Sequence, residues 1–400
     1  MNVVHGPCIS SNVRCRTMKP PTRLLRSLFG RSDSPPRQIP RSDFKLLRND
    51  VKLEEENWAW YRGDSYYPVR IGETFRSRDQ VLGKLGYGAH STVWLGRDLQ
   101  YVIQYLQPAF TAWQHVIRRL LDSFTITVPG GEHLCLVHEP LAMSVETLTD
   151  LLPGKQMPEP LLKSMLKYML TALDCLHTES NMIHADLKAG NMHFRVKVDS
   201  IFEHFEKAEL ENPSPRKIDG DRIVYESRGL ILPSAGTTGC PVLCDFGEAR
   251  FGKESYTDDI QPFAYRAPEV ILGIPWSYEV DIWNLGIMIW DLSENCSLFK
   301  ARDPDGEDST AHHLAEMIAI LGPPPLECLQ RDSESEKYFG PDGWWKGLAP
   351  IPDTSLKTSI TRLSGDTKAQ FLELVRKMLQ WLPEKRYTAE QLLSDPWLDS

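Results

Sequence analysis

Four short motifs in a fixed order constrain this chain more than its composition does. They are the turn Gly86-Tyr87-Gly88, the loop HADLKAGN at 184–191, the triplet Asp245-Phe246-Gly247 and the triplet Ala267-Pro268-Glu269. Each alone is weak: an aspartate before Leu-Lys is usually a helix cap or a surface residue, and Asp-Phe-Gly alone is a turn. Their order gives them weight, because two loops then supply two carboxylates, an amide and an ammonium. Hard oxygen donors of that kind make an anionic metal site.

The chain around these motifs reads as α+β. VLGKLG (81–86), TVWLGRD (92–98) and HLCLVHEP (133–140) have strand character, with Gly86 and Gly88 where a tight turn would need positive φ. LLKSMLKYMLTALDCLH (161–177) carries apolar residues at three- and four-residue spacing, the pattern of an amphipathic helix. A small strand-rich part precedes a larger helix-rich part. The segment at about 195–240, with ENPSPRKIDGDR and PSAGTTG, reads as a mostly surface insert.

Residues 1–54 read as a basic, disordered arm, since the first 50 hold ten Lys/Arg against three Asp. The same composition is compatible with a mitochondrial transit peptide, the less favoured reading. With a net charge of −9, the remainder is strongly acidic, which disfavours direct binding of nucleic acid and suits a basic partner. No apolar run approaches the roughly 20 residues of a membrane span. The eight cysteines show no CxxC spacing and are expected to be reduced thiols of a cytoplasmic or nuclear protein.

In their order, the four motifs match the signature set of eukaryotic protein kinases, and the chain resembles the SR-protein kinases within that group. Three features carry the closer likeness: the lead-in YRGDSYYPVRIGETF (61–75), the loop LGYGAHSTVWL with Ser91 where most kinases have a third glycine, and the insert between Asn191 and Asp245. HHLAEMIAILGPPP (312–325) is similar to the wider CMGC group.

The resemblance implies a bilobal protein-kinase fold, with a small β-rich lobe at 55–140 and a large α-helical lobe at 141–400. It implies ATP and Mg²⁺ as cofactors. Asp186 would accept or orient the proton of the attacking hydroxyl, Lys188 would point at the transferring phosphate, and Asn191 and Asp245 would hold the metal. Gly86, Gly88 and Val93 would cover the nucleotide. Glu139 and Leu141 would bond adenine through their backbones, with His138 as gatekeeper. Asp281 and Trp283 would belong to the helix that anchors the catalytic loop, and Arg386 would pair with Glu269. Lys188 implies Ser/Thr substrates, and the acidic run RDPDGED (302–308) suits Arg/Ser-rich basic proteins such as splicing factors.

The chain departs from that pattern in its small lobe. There is no lysine from 85 to 154 and no glutamate from 74 to 131, so the usual ATP-clamping lysine and its helix-borne glutamate are missing. Only residues 101–114 are available for a strand, a connection and a helix, and such a helix alone takes about 11 residues. YVIQYL could supply the strand, with Gln104 or Tyr105 near the missing lysine. Lys84 and Arg97 are the nearby cations, each more simply a solvent-facing strand residue. Ala185 replaces the arginine that usually holds a phosphorylated activation loop, which makes Ser255, Tyr256 and Thr257 poor switches. Three readings stay open on this ground: a working kinase, a pseudokinase that binds partners, and a chain lacking a coded segment.

Overall fold

The structure, a computed structural model, describes residues 2–4, 35–39, 42–88, 91–99, 115–129, 131–230, 238–252 and 254–400. Gln104 and Tyr105 lie outside the described residues. The chain forms two compact units. One, strand-rich, comprises Met1–Ala109, Arg119–Ala142 and Val196–Thr238; the other, mainly helical, comprises Phe110–Arg118, Met143–Arg195 and Gly239–Ser400.

The strand-rich unit is built on a six-stranded sheet of β1 (Asn2–Val4), β2 (Thr74–Phe75), β3 (Asp79–Tyr87), β4 (Ser91–Asp98), β5 (Leu120–Val128) and β6 (Gly131–His138), in the order β2-β3-β4-β1-β6-β5. Alternating apolar residues give β3 and β4 two faces. Val81 and Trp94 join one cluster with Val69, Phe75 and Cys135, while Leu82 and Leu95 join another. Three residues from the stretch read as a basic arm form β1, which pairs antiparallel with both β4 and β6, setting Asn2 opposite Val93 and Leu136. This occupies the two strand edges that a missing third strand would leave with unpaired backbone groups.

The segment read as a surface insert is part of this unit's interior. Its helix Ser200–Glu211 buries Ile201, Phe205 and Glu209, a stripe at four-residue spacing, and Ile201 and Phe205 pack on Leu82 and Leu95. At Gly83 a Cβ would stand 2.8 Å from the Phe205 ring, so only glycine allows this approach. The insert's hairpin, Arg216–Asp219 with Arg222–Tyr225, serves the other face. There Tyr225 meets Trp94 edge-on, with ring centroids 5.6 Å apart. The polar, Pro- and Gly-containing sequence around the helix, ENPSPRKIDGDR and PSAGTTG, hid this role.

A buried ionic cluster ties the insert and β3 to the short helical turn Glu54–Asn57. Lys84 Nζ lies 2.7 Å from Glu54 and 2.5 Å from Glu55 and donates to the Tyr225 carbonyl, while Lys217 Nζ lies 2.5 Å from Glu56. Ser227 donates to Glu54 through both its backbone N–H and its hydroxyl.

The helical unit centres on Glu279–Glu294, which is buried on nearly every side and therefore reads as a core helix rather than an amphipathic one. Gly286 lets it approach Leu379 closely; a Cβ there would lie 2.8 Å from that side chain. Glu159–Asp174 and Gly365–Met378 pack beside it with one apolar face each. Among the described residues no helix is long and apolar enough to cross a membrane.

Candidate active site

Within the helical unit, the loop 184–191 is held from below by one buried carboxylate. Asp281 accepts the backbone N–H of His184 at 2.8 Å and of Ala185 at 2.9 Å, and lies 2.9 Å from His177 Nε2. Burial pushes the Asp281 carboxyl up, but the His177 bond, the neighbouring His184 and these donors outweigh it and hold the group below its ordinary 3.8. The bonds have a conformational purpose. Ala185 sits at φ 65°, in the left-handed region that a side chain disfavours, and the two N–H donors secure it there. Arginine in place of Ala185 would add a long side chain at a residue that is fully buried.

His184 ties this loop to the one that follows. Its Nδ1 accepts from the Asp186 N–H at 3.3 Å, which leaves Nε2 to donate to the Cys244 carbonyl at 2.9 Å. Its ring also packs edge-on against Phe246, and the Cys244 N–H bonds the Asn191 carbonyl at 2.8 Å. His177 and His184 were not singled out from the sequence. The signal available for His184 was its position at the head of HADLKAGN; His177 had none, since its partner is 104 residues away.

Asp186, Lys188 and Asn191 converge. Lys188 Nζ is 2.7 Å from Asp186 Oδ2, and Asn191 Nδ2 donates to the Asp186 carbonyl at 2.9 Å and to its Oδ2 at 3.0 Å. Those bonds spend the Asn191 amide nitrogen and leave its oxygen as the remaining polar atom. Asp245 is exposed, at φ 60°, with one carboxylate oxygen accepting the Gly247 N–H at 3.3 Å. An amide oxygen and a solvent-facing carboxylate are the hard donors that Mg²⁺ takes, so these residues fit the ion. Among the described residues no group of three or more His, Cys, Asp or Glu side chains forms a metal cluster.

Further along, Glu269 and Arg386 form a two-pronged pair, both bonds 2.6 Å and both side chains fully buried. Arg386 also lies over the Trp283 ring, 5.1 Å from its centroid, and donates to the Glu279 carbonyl at 2.9 Å. Tyr256 stacks on Trp276 and donates its hydroxyl to the Phe251 carbonyl.

The strand-rich unit carries the other expected positions. Gly86 and Gly88 are outside the positive-φ region, contrary to the sequence expectation, because β3 continues through Tyr87 with a bulge between Lys84 and Gly86. A Cβ at 86 would meet nothing within 4 Å, so neither φ nor crowding by the described residues requires glycine there. The Gly88 N–H bonds the Ser91 carbonyl at 2.8 Å, and Val93 pairs with Gly86 across β3 and β4. The Glu139 carboxylate accepts the Arg119 N–H at 3.3 Å, His138 Nδ1 lies 3.1 Å from the Arg119 carbonyl, and Leu141 is buried.

Neither nearby cation stands ready for a phosphate. Lys84 is a buried strand residue rather than a solvent-facing one, bound by Glu54 and Glu55, and Arg97 lies 3.6 Å from Glu206 of the insert helix. The acidic run EEEN that captures Lys84 lies about 30 residues upstream, which is why adjacency along the strand did not reveal it.

Comparison with known proteins agrees with this geometry. The protein kinase domain family matches residues 230–398. A serine/threonine protein kinase of Aspergillus fumigatus is 43% identical, over 94% of this chain and 99% of its own. The chain belongs to the serine/threonine protein kinases. A serine/threonine-protein kinase named SRPK from Physarum polycephalum is 31% identical over 86% of this chain and 91% of its own, and protein kinase dsk1 of Schizosaccharomyces pombe is 24% identical over 89% and 87%. These place the kinase among the SRPK-like enzymes. A crystal structure of another kinase domain superposes with a TM-score of 0.60 at 20% identity, covering 83% of this chain and 98% of that one, which establishes the bilobal kinase fold. The kinase uses ATP and a divalent metal, as its domain family does, and acts on protein. The pseudokinase reading gains no support from these relatives.

Proposed function

We propose that this kinase transfers the γ-phosphoryl of ATP to serines in Arg/Ser-rich basic proteins, splicing factors among them, with Mg²⁺ as the metal. The observation that supports it most is the convergence of Asp186, Lys188 and Asn191 on one carboxylate oxygen. Asp186 takes up or orients the proton of the substrate hydroxyl, Lys188 offsets the charge on the transferring group, and Asn191 with Asp245 holds the metal, whose chemistry is to neutralise phosphate charge. Gly86, Gly88 and Val93 cover the nucleotide, and the backbones at Glu139 and Leu141 take adenine.

The substrate class rests on charge and on the likeness to the Physarum kinase named SRPK. In the run 302–308, Asp303 caps its own turn by accepting from Asp305 and Glu307, and Asp308 sits 3.7 Å from Arg302. Among the described residues the Asp305 and Glu307 side chains have no such partner, and they suit an arginine-rich peptide.

Single-turnover transfer from labelled ATP to an Arg-Ser-repeat peptide tests the reading, with wild type beside Asp186→Ala. Transfer to serine by wild type, lost in the variant, is the expected result. Transfer only to peptides without arginine would overturn the substrate class, and absence of transfer from folded wild-type protein would overturn the assigned roles.

A further inference from the structure

The helical unit contains a cavity of about 350 Å³ to which none of Asp186, Lys188, Asn191 or Asp245 contributes. Its walls come from the start of the helix Glu159–Asp174 and the loop before it, the end of Glu279–Glu294, the residues just ahead of Gly365–Met378, and the helix Pro396–Asp399. The size lies at the lower end of small-molecule pockets. Met157, Leu162 and Leu363 provide apolar walls.

Two buried polar atoms of its lining have no hydrogen-bond partner among the described residues. One is the donor Trp397 Nε1, on a side chain with 0% exposure; the other is the acceptor Gln156 Oε1, whose amide nitrogen is engaged 3.4 Å from the Glu294 carbonyl. An unmatched buried donor or acceptor is unfavourable, so each calls for a partner. The Trp397 ring is held by Phe371, centroids 5.0 Å apart, and by Lys163 Nζ, 5.0 Å from its centroid, which fixes where the N–H sits.

Charge narrows the choice. Glu159 is neutralised by Lys163 at 2.7 Å and also accepts from Thr367, so its carboxyl is held below the usual range by the Lys163 bond. Arg362 lines the same cavity, is exposed and has no ion pair among the described residues, which leaves the site one positive charge. Gln156 Oε1 and Arg362 Nη2 both flank Gly154: a Cβ placed there would be 2.9 Å from the first and 3.4 Å from the second. Gly154 itself sits at φ 67°, where glycine is favoured, so the loop that presents both groups depends on it.

We infer that this cavity is a binding site for a small aromatic or aliphatic carboxylate that also bears a hydroxyl or N–H donor. The carboxylate pairs with Arg362 and accepts from Trp397 Nε1, the donor meets Gln156 Oε1, and the apolar body lies against Met157, Leu162 and Leu363. Water would satisfy either orphaned atom singly. It would not neutralise the guanidinium or cover the apolar walls.

The probe is 4-hydroxyphenylacetate, titrated calorimetrically into the full chain with saturating ATP analogue present, beside phenylacetate, which lacks the donor, and tyrosol, which lacks the charge. Saturable one-to-one binding is expected, weakened about tenfold by removing either group from the ligand. Arg362→Gln should weaken it similarly without altering peptide phosphorylation, and Trp397→Phe should do so if it folds. Arg362 is exposed, so that variant remains informative should Trp397→Phe unfold. No saturable heat at millimolar probe, equal binding of all three compounds, or an unchanged affinity in Arg362→Gln would each overturn the inference.

Discussion

Lys84 and Glu55 meet at 2.5 Å inside the strand-rich unit, with Glu54 on the same ammonium at 2.7 Å. The cation two residues before the glycine turn is therefore spent on holding the helical turn Glu54–Asn57 against β3. Removing it strands two carboxylates in the interior, which costs about 3–5 kcal/mol for a buried pair. Lys84→Met should unfold at correspondingly lower denaturant, and adding Glu54→Gln with Glu55→Gln should recover most of the loss. Denaturant titrations of the single and triple variants check this; equal stability of Lys84→Met and wild type would show that the cluster contributes nothing.

Gly83 faces Phe205 of the insert helix so closely that a Cβ would stand 2.8 Å from the ring. Gly83→Ala should cost about 1–3 kcal/mol through overpacking, and Phe205→Leu should relieve part of it in the double variant. Phe205→Ala alone should cost about 3–5 kcal/mol, the loss of a well-packed aromatic side chain. A neutral outcome for Phe205→Ala would mean that the insert packs elsewhere in solution.

Lys188 is 41% exposed at its side chain and lies 2.7 Å from Asp186. A residue so placed contributes little to folding, so Lys188→Met should melt within about 1 kcal/mol of wild type. Its phosphoryl transfer should fall about 10²-fold or more, the usual consequence of removing one charge aimed at the reacting group. Rapid-quench kinetics beside a thermal melt separates the two effects.

Asp291 is pushed up to about 6 by burial, an effect that the Tyr265 hydroxyl at 2.7 Å and the Leu298 N–H only partly offset. A carboxyl whose folded value exceeds its ordinary 3.8 binds its proton more tightly when folded. The stability it confers is therefore complete below pH 3.8 and is lost as pH rises to about 6, on the order of 3 kcal/mol across that window. Asp281 acts oppositely: its value is depressed, so its contribution is present above pH 3.8 and is lost on acidification below it. Asp291→Asn should flatten the fall in stability between pH 4 and 6 while leaving the acid limb in place. Denaturant midpoints measured across that range would show it.

HADLKAGN and Asp245-Phe246-Gly247 were legible as a site because phosphoryl transfer needs several polar groups a few residues apart on one loop, and such spacing survives in the linear sequence. The chain also disclosed, by counting alone, that no lysine from 85 to 154 could serve its small lobe. The Glu269–Arg386 pair was anticipated through family resemblance rather than from any local pattern. What only the tertiary structure decided has one physical character: it depends on segments far apart in the chain meeting in a dry interior. Lys84 joins Glu54 and Glu55 across about 30 residues, Asp281 holds His184 and Ala185 across about 100, and Phe205 finds Gly83 across more than 100. Burial there converts a lysine that reads as a surface charge into an internal ion pair, and a polar-looking insert into the cover of a sheet. Pairing at that range leaves no motif in the sequence, and the four-residue stripe of the insert helix does not say which sheet it covers.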